Sequence, residues 1–563
     1  MSKILSALDD EQRAAAECIA GPVVIYAGAG TGKTRTITHR IAYAVNSGVH
    51  DSQSTLAVTF TTRAAGELRS RLGQLGVTGV QVRTFHSAAL RQLRFFYPQV
   101  FNKELPNLIP SKFKLVSQAV ANCHVNSATE TIRDIAAEIE WAKVNVFSPE
   151  IYRAKALEFR RTIGTGVSAE QVAKVYEAYL ALLDDANAMD FEDVLLLNTA
   201  ILENFPEIAA QVRSQYRNFT VDEFQDVSPV QYELLKLWLG NRDDVCVVGD
   251  PAQTIYSFSG ATSNYLKNFK SDFPRAQEFE LTNNYRSTKP IVEVANQILV
   301  KDGTSSVRLK TKKSSGPKVT VTDYPSDESE ATAVAKQIEK LIAAGVEPKD
   351  IAILFRINSQ SEVFEAALAD RRIPVTLRGA ERFFERPEVK NALLNLRAGQ
   401  HVSSDHKLVQ TVKDILGTIG WKPSVPEGGR AQRDVWESLN TIVELAVDLL
   451  EKTPNATLAD FISLLDKRNE MEYAPSANAV TLASIHAAKG LEWNAVFVVG
   501  LSEGLLPISH ATKASEFAEE RRLFYVAVTR AQDHLALSWA HSRHNDSKGY
   551  REQSTLLRDL VFS

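Results

Sequence analysis

The chain has 563 residues, and its 64 basic and 68 acidic side chains give a formal net charge of −4. A chain of this length accommodates several domains, and its weakly acidic balance excludes a protein that coats nucleic acid by bulk electrostatics. No apolar stretch approaches the roughly 20 residues that a membrane-spanning helix requires, and the acidic residues 9–11 argue against a secretory signal. We therefore expect a multidomain protein that is not bound to a membrane and remains in the cytoplasm.

A glycine-rich loop follows the first apolar run. Residues 23–26 have the pattern of a buried strand, and residues 35–45 that of a helix. The loop and its flanks read Ala27, Gly28, Ala29, Gly30, Thr31, Gly32, Lys33, Thr34 and Arg35. Glycines let backbone N–H groups converge on phosphates, a lysine reaches the β and γ phosphates, and a threonine hydroxyl ligates Mg²⁺. The segment predicts a loop that binds nucleotide phosphates, although Ala27 stands where the strict pattern has glycine.

Two adjacent carboxylates, Asp222 and Glu223, follow the apolar run at residues 219–221. Phosphoryl transfer requires one group that holds Mg²⁺ and another that directs a water molecule. Asp222 is the candidate for the metal's water shell, and Glu223 is the candidate general base. Taken alone, the pair fits a solvated turn better. The phosphate loop upstream favours the catalytic interpretation, with ATP and Mg²⁺ as the bound groups.

Short apolar strands alternate with helical patterns twice along the chain. The predicted strands are residues 23–26, 56–60, 219–221 and 245–248, then 351–355, 480–485, 496–499 and 535–539. This alternation predicts an α/β protein with two parallel-sheet domains. The predicted boundaries are 1–90 with 193–280 for the first domain, 91–192 for a helical insertion in it, 281–390 with 474–563 for the second domain, and 391–473 for a smaller helical insertion.

A local basic segment lies between Arg63 and Arg94. It holds six arginines against one acid, Glu67. The aromatic residues in or beside it are Phe60, Phe85, Phe95, Phe96 and Tyr97. Arginines with interleaved aromatics suit phosphate contacts and base stacking, whereas arginines on helix surfaces are more often simply solvated. The segment is a candidate nucleic-acid site, and solvation is the alternative.

Eight further motifs occur in a fixed order. They are residues 8–13 (LDDEQR), 59–65 (TFTTRAA), 84–86 (TFH), 248–256 (VGDPAQTIY), 284–287 (NYRS), 354–358 (LFRIN), 486–492 (HAAKGLE) and 519–531 (EERRLFYVAVTRA). With these motifs, the phosphate loop and the acidic strand end, the chain resembles superfamily-1 DNA helicases of the UvrD, Rep and PcrA group over nearly its whole length. The resemblance implies two RecA-like P-loop domains, each with a helical insertion.

The resemblance also implies roles around ATP. Gln12 is similar to the family's adenine reader, Tyr285 to the residue on which the base stacks, and Glu492 to a contact with the sugar. The implied catalytic set is Lys33, Asp222, Glu223, Gln253, Arg286 and Arg530. Within it, Gln253 resembles a γ-phosphate sensor, and the two arginines resemble arginine fingers offered from the second domain. The family's ATP site would then lie between domains that close for catalysis.

Other motif residues match positions where the family grips single-stranded DNA. They are Phe60, Thr61, His86, Tyr256, Phe258, Arg356, Asn358 and His486. Aromatic side chains stack on bases without reading their sequence, and polar groups contact phosphates. Each residue taken alone is more often structural. The implied partners are single-stranded DNA and single-strand/duplex junctions, and the implied travel is from 3′ to 5′.

The chain departs from the family in two places. The family has tryptophan and arginine where this chain has Phe258 and Ser259, so stacking is kept and a charge is lost. The second insertion is shorter than in relatives, and only 32 residues (563 − 531) follow Ala531, so we expect no added nuclease domain. We expect a cytoplasmic, nucleoid-associated helicase for repair or replication rescue, with repair-protein partners that the sequence does not identify.

Three alternatives remain open at this point. One is a single-stranded DNA translocase that barely unwinds, which the short second insertion favours. Another is the motor subunit of a helicase-nuclease complex. The third is a nucleotide-gated switch with slow hydrolysis, against which intact Glu223, Arg286 and Arg530 argue.

Overall fold

A computed structural model describes residues 4–161, 163, 166–302, 307–313, 315–378, 383–399, 408–424, 426, 430–470, 478–543 and 550–562. The chain divides into two units, Met1–Tyr285 with Gly303–Lys312, and Arg286–Asp302 with Lys313–Ser563. The division therefore falls at Tyr285 rather than at the predicted residue 280, and a short later segment returns to the first unit. Of the predicted insertion 391–473, residues 400–407, 425, 427–429 and 471–473 lie outside the described residues.

A six-stranded parallel sheet forms the centre of the first unit. The strands of this unit are β1 (Val23–Ala27), β2 (Thr55–Thr59), β3 (Gln81–Thr84), β4 (Asn107–Leu108), β5 (Ala188–Met189), β6 (Asn218–Val221), β7 (Val245–Gly249), β8 (Gln277–Leu281), β9 (Asn283–Asn284) and β10 (Lys310–Thr311). The sheet order is β3-β2-β6-β7-β1-β8. Its inner strands are buried and rich in β-branched residues because helices cover both faces.

The helices of the first unit fall into a sheet-packing group and an inserted group. They are α1 (Asp10–Glu17), α2 (Lys33–Asn46), α3 (Thr62–Gln74), α4 (Phe85–Phe101), α5 (Phe113–Asn122), α6 (Thr129–Val144), α7 (Pro149–Glu158), α8 (Ala169–Asp185), α9 (Asp193–Asn204), α10 (Pro206–Gln215), α11 (Pro229–Leu239), α12 (Asn264–Lys267) and α13 (Phe269–Asp272). α5 to α8 enclose a core of their own. α4 crosses the predicted boundary at residue 90 and packs into the sheet's core instead.

A buried ion-pair network fixes the end of the helical insertion. Lys143, on α6, is 1% exposed and donates to Asp190 and Asp193 at 2.8 Å each. The Tyr179 hydroxyl donates to the same Asp190 carboxylate at 2.7 Å. Burial acts to raise the pKa of Asp190, but the charges of Lys143 and Lys112 outweigh it and hold that pKa below its usual range. The segment between β5 and α9 is therefore tied to α6 by charge.

Replacing Lys143 by methionine is expected to destabilise the first unit by about 3–5 kcal/mol, because two carboxylates lose their buried partner. Urea unfolding of the full chain measures this change. The matched control is Lys174→Met, at an exposed lysine that pairs with Glu170 on α8; its expected effect is below about 0.5 kcal/mol. Equal unfolding curves for the two variants would contradict a structural role for the Lys143 network.

The second unit also centres on a six-stranded parallel sheet. Its strands are β11 (Thr320–Tyr324), β12 (Ile351–Phe355), β13 (Val375–Arg378), β14 (Val480–Ser484), β15 (Trp493–Val498) and β16 (Ala531–Ala540), in the order β11-β16-β15-β12-β14-β13. Its helices are α14 (Lys289–Asp302), α15 (Asp327–Ala343), α16 (Ser361–Ala369), α17 (Pro387–Gly399), α18 (Leu408–Thr418), α19 (Arg430–Lys452), α20 (Leu458–Glu470), α21 (Ala514–Val528) and α22 (Thr555–Arg558). α17 to α20 surround a separate apolar core.

Candidate functional site

The glycine-rich loop joins the end of β1 to the start of α2. Gly30 and Gly32 have φ values of +71° and +83°, which L side chains rarely adopt. A Cβ atom on Gly32 would lie 2.7 Å from Nε2 of Gln12. The Lys33 ammonium donates to the Ala27 carbonyl at 3.3 Å. The loop thus curls around the amino end of α2, and its backbone, helix end and lysine fit a nucleotide's phosphates.

Thr34, the second residue of α2, lies beside Asp222, the residue that follows β6. The threonine hydroxyl donates to Asp222 Oδ2 at 3.4 Å. Burial and then the charge of Glu223 raise the pKa of Asp222 to about 7, while the Lys33 ammonium acts in the opposite direction. A hydroxyl beside a carboxylate is a donor set that suits Mg²⁺, and a bound cation would favour the ionised carboxylate.

Glu223 is held in an uncommon backbone conformation. Its φ is +50°, in the left-handed region, and its N–H donates to Asp222 Oδ1 at 2.9 Å. The Gln225 amide donates to Glu223 Oε2 at 2.5 Å. Non-glycine residues in this region cluster at functional sites, where surrounding contacts hold them in place. The carboxylate is therefore oriented from its backbone and from its side chain.

A chain of hydrogen bonds leads from Glu223 to Gln253. Gln225 Oε1 accepts from the Asp250 N–H at 3.0 Å, and Asp250 Oδ2 accepts from the Gln253 amide at 2.6 Å. Gln225, Asp250 and Gln253 are all buried. Sequence reasoning assigned no role to Gln225; its signal was only its place in the acidic motif. The candidate base and the candidate γ-phosphate sensor are thus linked through two residues, the Gln225 side chain and the backbone and side chain of Asp250.

The candidate adenine residues also gather at the phosphate loop. The Gln12 amide donates to the Thr31 carbonyl at 2.9 Å, and Asp9 caps the helix that carries Gln12 by accepting from its N–H at 2.8 Å. The Tyr285 N–H donates to the Gly30 carbonyl at 2.9 Å, and its hydroxyl donates to Asp9. The Tyr285 ring is 42% exposed, which leaves a face on which a base can stack.

In the second unit, Arg286, Glu492 and Arg530 lie together. Arg286 Nε donates to Glu492 Oε2 at 2.5 Å, and its Nη1 donates to the Thr529 carbonyl at 3.1 Å. Gln532 donates to the other Glu492 oxygen at 3.1 Å. Glu492, expected only as a sugar contact, thus also orients the guanidinium of Arg286. The structure brings the three predicted residues into one cluster.

Arg530 is 1% exposed. Its guanidinium donates to the carbonyls of Val526 and Leu491 at 2.9 and 3.2 Å and to the Thr529 hydroxyl at 3.1 Å. These contacts join the end of α21 to the segment before β15. A structural role therefore accompanies the catalytic role predicted for this residue.

Replacing Arg530 by alanine is expected to destabilise the second unit by about 3 kcal/mol or more, because it leaves a cavity and three acceptors without their donor. Thermal and urea unfolding of the full chain measure the loss. Arg558→Ala, at a half-exposed arginine of the same unit, serves as the control and should unfold as the parent does. Wild-type stability of the Arg530 variant would rule out the structural role.

Three candidate DNA residues of the first unit lie just beyond the carboxyl ends of two neighbouring strands, β2 and β3. Phe60 and Thr61 follow β2, and His86 lies in the first turn of α4 after β3; Thr59 and Thr84 are opposite each other in these neighbouring strands. The His86 ring stacks on Phe191 at 3.8 Å between centroids. Burial lowers the pKa of His86 to about 4, so the ring is neutral near pH 7.

Phe191 was missed at the level of sequence. Its ring is 53% exposed, and it lies between the buried carboxylates Asp190 and Glu192. An aromatic residue among acids was the only available signal. Its stack on His86 makes it a candidate for base contact.

Tyr256 and Phe258 follow Gln253 along the chain: Phe258 lies in the short 3₁₀ segment Ser257–Ser259, and Tyr256 directly precedes that segment. Their rings meet edge to face at 6.2 Å, and Phe258 is exposed. They lie a few residues beyond the hydrogen-bond chain that begins at Glu223. Aromatic side chains for base stacking therefore adjoin the candidate phosphate sensor along the chain.

The remaining candidates lie just beyond the carboxyl ends of two neighbouring strands of the second sheet, β12 and β14. Phe355 of β12 is opposite Ser484 of β14, so Arg356, Asn358 and His486 follow neighbouring strand ends. Arg356 donates to both oxygens of Glu520, at 3.0 Å from Nε and 2.7 Å from Nη2. Its charge is thus offset by a buried carboxylate, and a phosphate would compete with Glu520. Asn358 is exposed and His486 is partly exposed.

A phosphate loop, a strand-end carboxylate pair and a second parallel-sheet unit that carries an arginine cluster define a P-loop nucleotide-binding protein with two α/β domains. The chain belongs to the UvrD-like helicase family. The family model for the UvrD/REP helicase N-terminal domain matches residues 8–274, and that for the UvrD-like helicase C-terminal domain matches residues 279–426 and 426–542. The predicted family and α/β fold class are thereby confirmed.

Curated relatives agree with this membership. The ATP-dependent DNA helicases UvrD2 of Mycobacterium tuberculosis and Mycobacterium bovis are each 44% identical to the chain over 577 residues, which cover 99% of the chain and 82% of the relative. The ATP-dependent DNA helicase PcrA of Staphylococcus aureus is 28% identical over 624 residues, which cover 96% of the chain and 84% of PcrA. Among the described residues, no helix is long and apolar enough to cross a membrane.

Proposed function

We propose that the chain is an ATP-dependent DNA helicase that moves from 3′ to 5′ along single-stranded DNA. The observation that carries the proposal is the arrangement of Lys33, Thr34, Asp222 and Glu223 at the phosphate loop. The names of the relatives support the DNA helicase activity, and the direction of travel rests on the resemblance to the UvrD, Rep and PcrA group. Repair or replication rescue in the cytoplasm, at the nucleoid, is the corresponding cellular role.

Hydrolysis is proposed to depend on side chains of the phosphate loop, of the carboxylate pair and of the arginine cluster. The loop's N–H groups and Lys33 bind the phosphates, and Tyr285 with Gln12 orients the base. Thr34 and Asp222 would hold Mg²⁺, which neutralises charge on the phosphates when it is bound. Glu223 accepts a proton from the attacking water. Arg286, oriented by Glu492, and Arg530 are the proposed donors to the charge that develops on the γ-phosphate.

Coupling to DNA is proposed to run through Gln253. In this proposal, loss of the γ-phosphate changes the hydrogen bonds of the Gln253 amide. Hydrogen bonds through Asp250 and Gln225 then transmit the change to Glu223. Tyr256 and Phe258, the next aromatic residues, would stack on bases. Alternation between two nucleotide-dependent grips on the strand then produces stepping, because ATP binds the two states with different affinity.

A translocase that unwinds little is the second candidate. The observation that favours it is the small accessory bundle, in which the described residues form four helices, α17 to α20. A small bundle offers less surface for a duplex. The third candidate is the motor subunit of a helicase-nuclease complex. In that case the ATP chemistry of this chain is the same, and another protein supplies the nuclease.

The proposal is tested by ATPase measurements with and without DNA. We expect turnover to rise at least about tenfold with saturating single-stranded DNA and to rise much less with blunt duplex. Stimulation by single strands supports a DNA motor. Turnover that is the same with and without single-stranded DNA would refute it and leave a nucleotide-gated switch.

A further inference from the structure

The arginine-rich segment noted in the sequence forms a patch at the outer edge of the first sheet. β3 is the terminal strand of that sheet. We call the following five residues the β3-edge patch: Arg69, Arg83, Arg91, Arg94 and Phe95. None of them has a role in the nucleotide site or among the candidate DNA residues described above.

Three guanidinium groups of the patch converge without a carboxylate. Arg83 and Arg91 donate to the same Gln81 oxygen at 3.2 and 3.1 Å. Arg69 donates to the edge carbonyl of Val82 at 2.8 Å. In the described part of the chain, no acid forms an ion pair with these three arginines, and the one acid of the segment, Glu67, pairs with Arg71. Like charges this close repel one another, and a bound anion would reduce that repulsion.

One nitrogen of the Arg83 guanidinium also lacks a hydrogen-bond acceptor among the described residues. This nitrogen is Nε, which is buried. Burial, followed by the charge of Arg91 and with a further contribution from Arg69, lowers the pKa of Arg83 from its ordinary value. The positive charges of Arg91 and Arg69 therefore act directly on the Arg83 guanidinium. An anion at the patch would relieve that repulsion.

The outer face of α4 extends the patch with an aromatic ring. Arg91, Arg94 and Phe95 are exposed on α4, and the Phe95 ring is 62% exposed. Arg91 and Phe95 are one turn apart and share a flank of the helix. Phe95 is nine positions after His86, which places it on the opposite side of the α4 axis from His86, at about 180°. By the same helical geometry Arg91 is about 140° and Arg94 about 80° from His86. Arg91 and Phe95 therefore belong to a different surface from the grip formed by Phe60, Thr61 and His86, and Arg94 lies between the two surfaces.

We propose that the β3-edge patch binds the sugar-phosphate backbone of single-stranded DNA outside the grip at Phe60, Thr61 and His86, with Phe95 stacking on a base. The inference rests on the proposed function, since it deepens how the same unit binds DNA. Guanidinium groups beside an exposed aromatic ring are the combination that single-strand binding uses. In this proposal the bound segment continues the gripped strand, because His86 of the grip and Arg91, Arg94 and Phe95 of the patch all lie on α4.

The test compares binding of labelled oligothymidines of increasing length to the parent chain and to Arg91→Gln/Arg94→Gln. Both arginines are exposed, so the fold should persist, and ATP affinity with the thermal midpoint checks this. We expect short oligonucleotides to bind both proteins alike and long ones to bind the variant at least about fivefold more weakly. The slope of log affinity against log salt should fall by about 1.4, or about 0.7 for each lost phosphate contact on a single strand.

Two further variants make the result decisive. Lys270→Gln/Arg275→Gln removes two exposed charges next to β8, at the opposite edge of the sheet, and should bind every length as the parent does. Phe95→Ala should weaken only the long oligonucleotides, at least about fivefold, with an unchanged salt slope.

The proposal is overturned if the arginine and Phe95 variants bind every length with the parent's affinity and salt slope. In that case the arginines serve only to cover the edge strand, or bind an acidic protein. It is also overturned if the arginine variant loses affinity equally at all lengths. The proposed function fails in a different way, namely if the parent chain itself does not bind single-stranded DNA or gain ATPase activity from it.

Discussion

Replacing Glu223 by glutamine is expected to lower DNA-stimulated ATP turnover by about 10³-fold while ATP and DNA still bind. The amide keeps the shape of the side chain and an oxygen that accepts from Gln225, but it cannot take a proton from water. Lys33, Thr34 and Asp222 remain to hold the nucleotide. Steady-state ATPase and equilibrium binding of a fluorescent ATP analogue measure the two quantities.

Glu233→Gln is the matched control. Glu233 is a half-exposed acid of the same unit that pairs with Lys236, and its change should leave turnover within about twofold. Turnover of the Glu223 variant within tenfold of the parent would show that another group is the base. Loss of ATP binding together with turnover would instead assign Glu223 to the binding of the nucleotide.

Replacing Arg286 by alanine is expected to cost about 10³-fold or more in turnover, with little change in ATP affinity. A guanidinium that meets the γ-phosphate acts mainly on the charge of the transition state, so its removal reduces the rate more than binding. The contacts of Arg286 with Glu492 and the Thr529 carbonyl hold it at the surface of its unit. Unlike Arg530, it is not buried, and the fold should tolerate its removal.

Arg371→Ala controls for the loss of a positive charge in the second unit, since Arg371 pairs with Glu339 on the surface. Its turnover should equal that of the parent. If Arg286→Ala raised the KM for ATP while kcat stayed constant, Arg286 would bind ground state and transition state equally, and its assignment as an arginine finger would be wrong.

The central strands were predictable because both of their faces are buried. β1, β2, β6, β7 and β12 lie within one or two residues of the predicted apolar runs. Strands at sheet edges were missed: β3, β8, β11 and β13. β8 reads Gln-Glu-Phe-Glu-Leu, and most of it is exposed, so it carries no apolar run. An edge strand is recognised only through the neighbour with which it pairs.

The grouping of motif residues followed from topology, because parallel strands deliver their carboxyl ends to one edge. The placement of Thr34 beside Asp222 illustrates this. Contacts between distant segments were not predictable. Arg356 pairs with Glu520, 164 residues later, and the Arg530 guanidinium is enclosed by its own helix end. Neither partner is marked by spacing or composition. The catalytic and DNA-binding roles of these residues stay predictions.

The most direct test of the proposed function is ATP-dependent unwinding of a short duplex that carries either a 3′ or a 5′ single-stranded tail, with ATPase recorded in the same reactions. We expect unwinding of the 3′-tailed duplex alone, and its loss in Glu223→Gln. Unwinding confined to the 5′-tailed duplex would contradict the proposed direction. Stimulated ATPase without unwinding of either substrate would contradict the helicase and support the translocase.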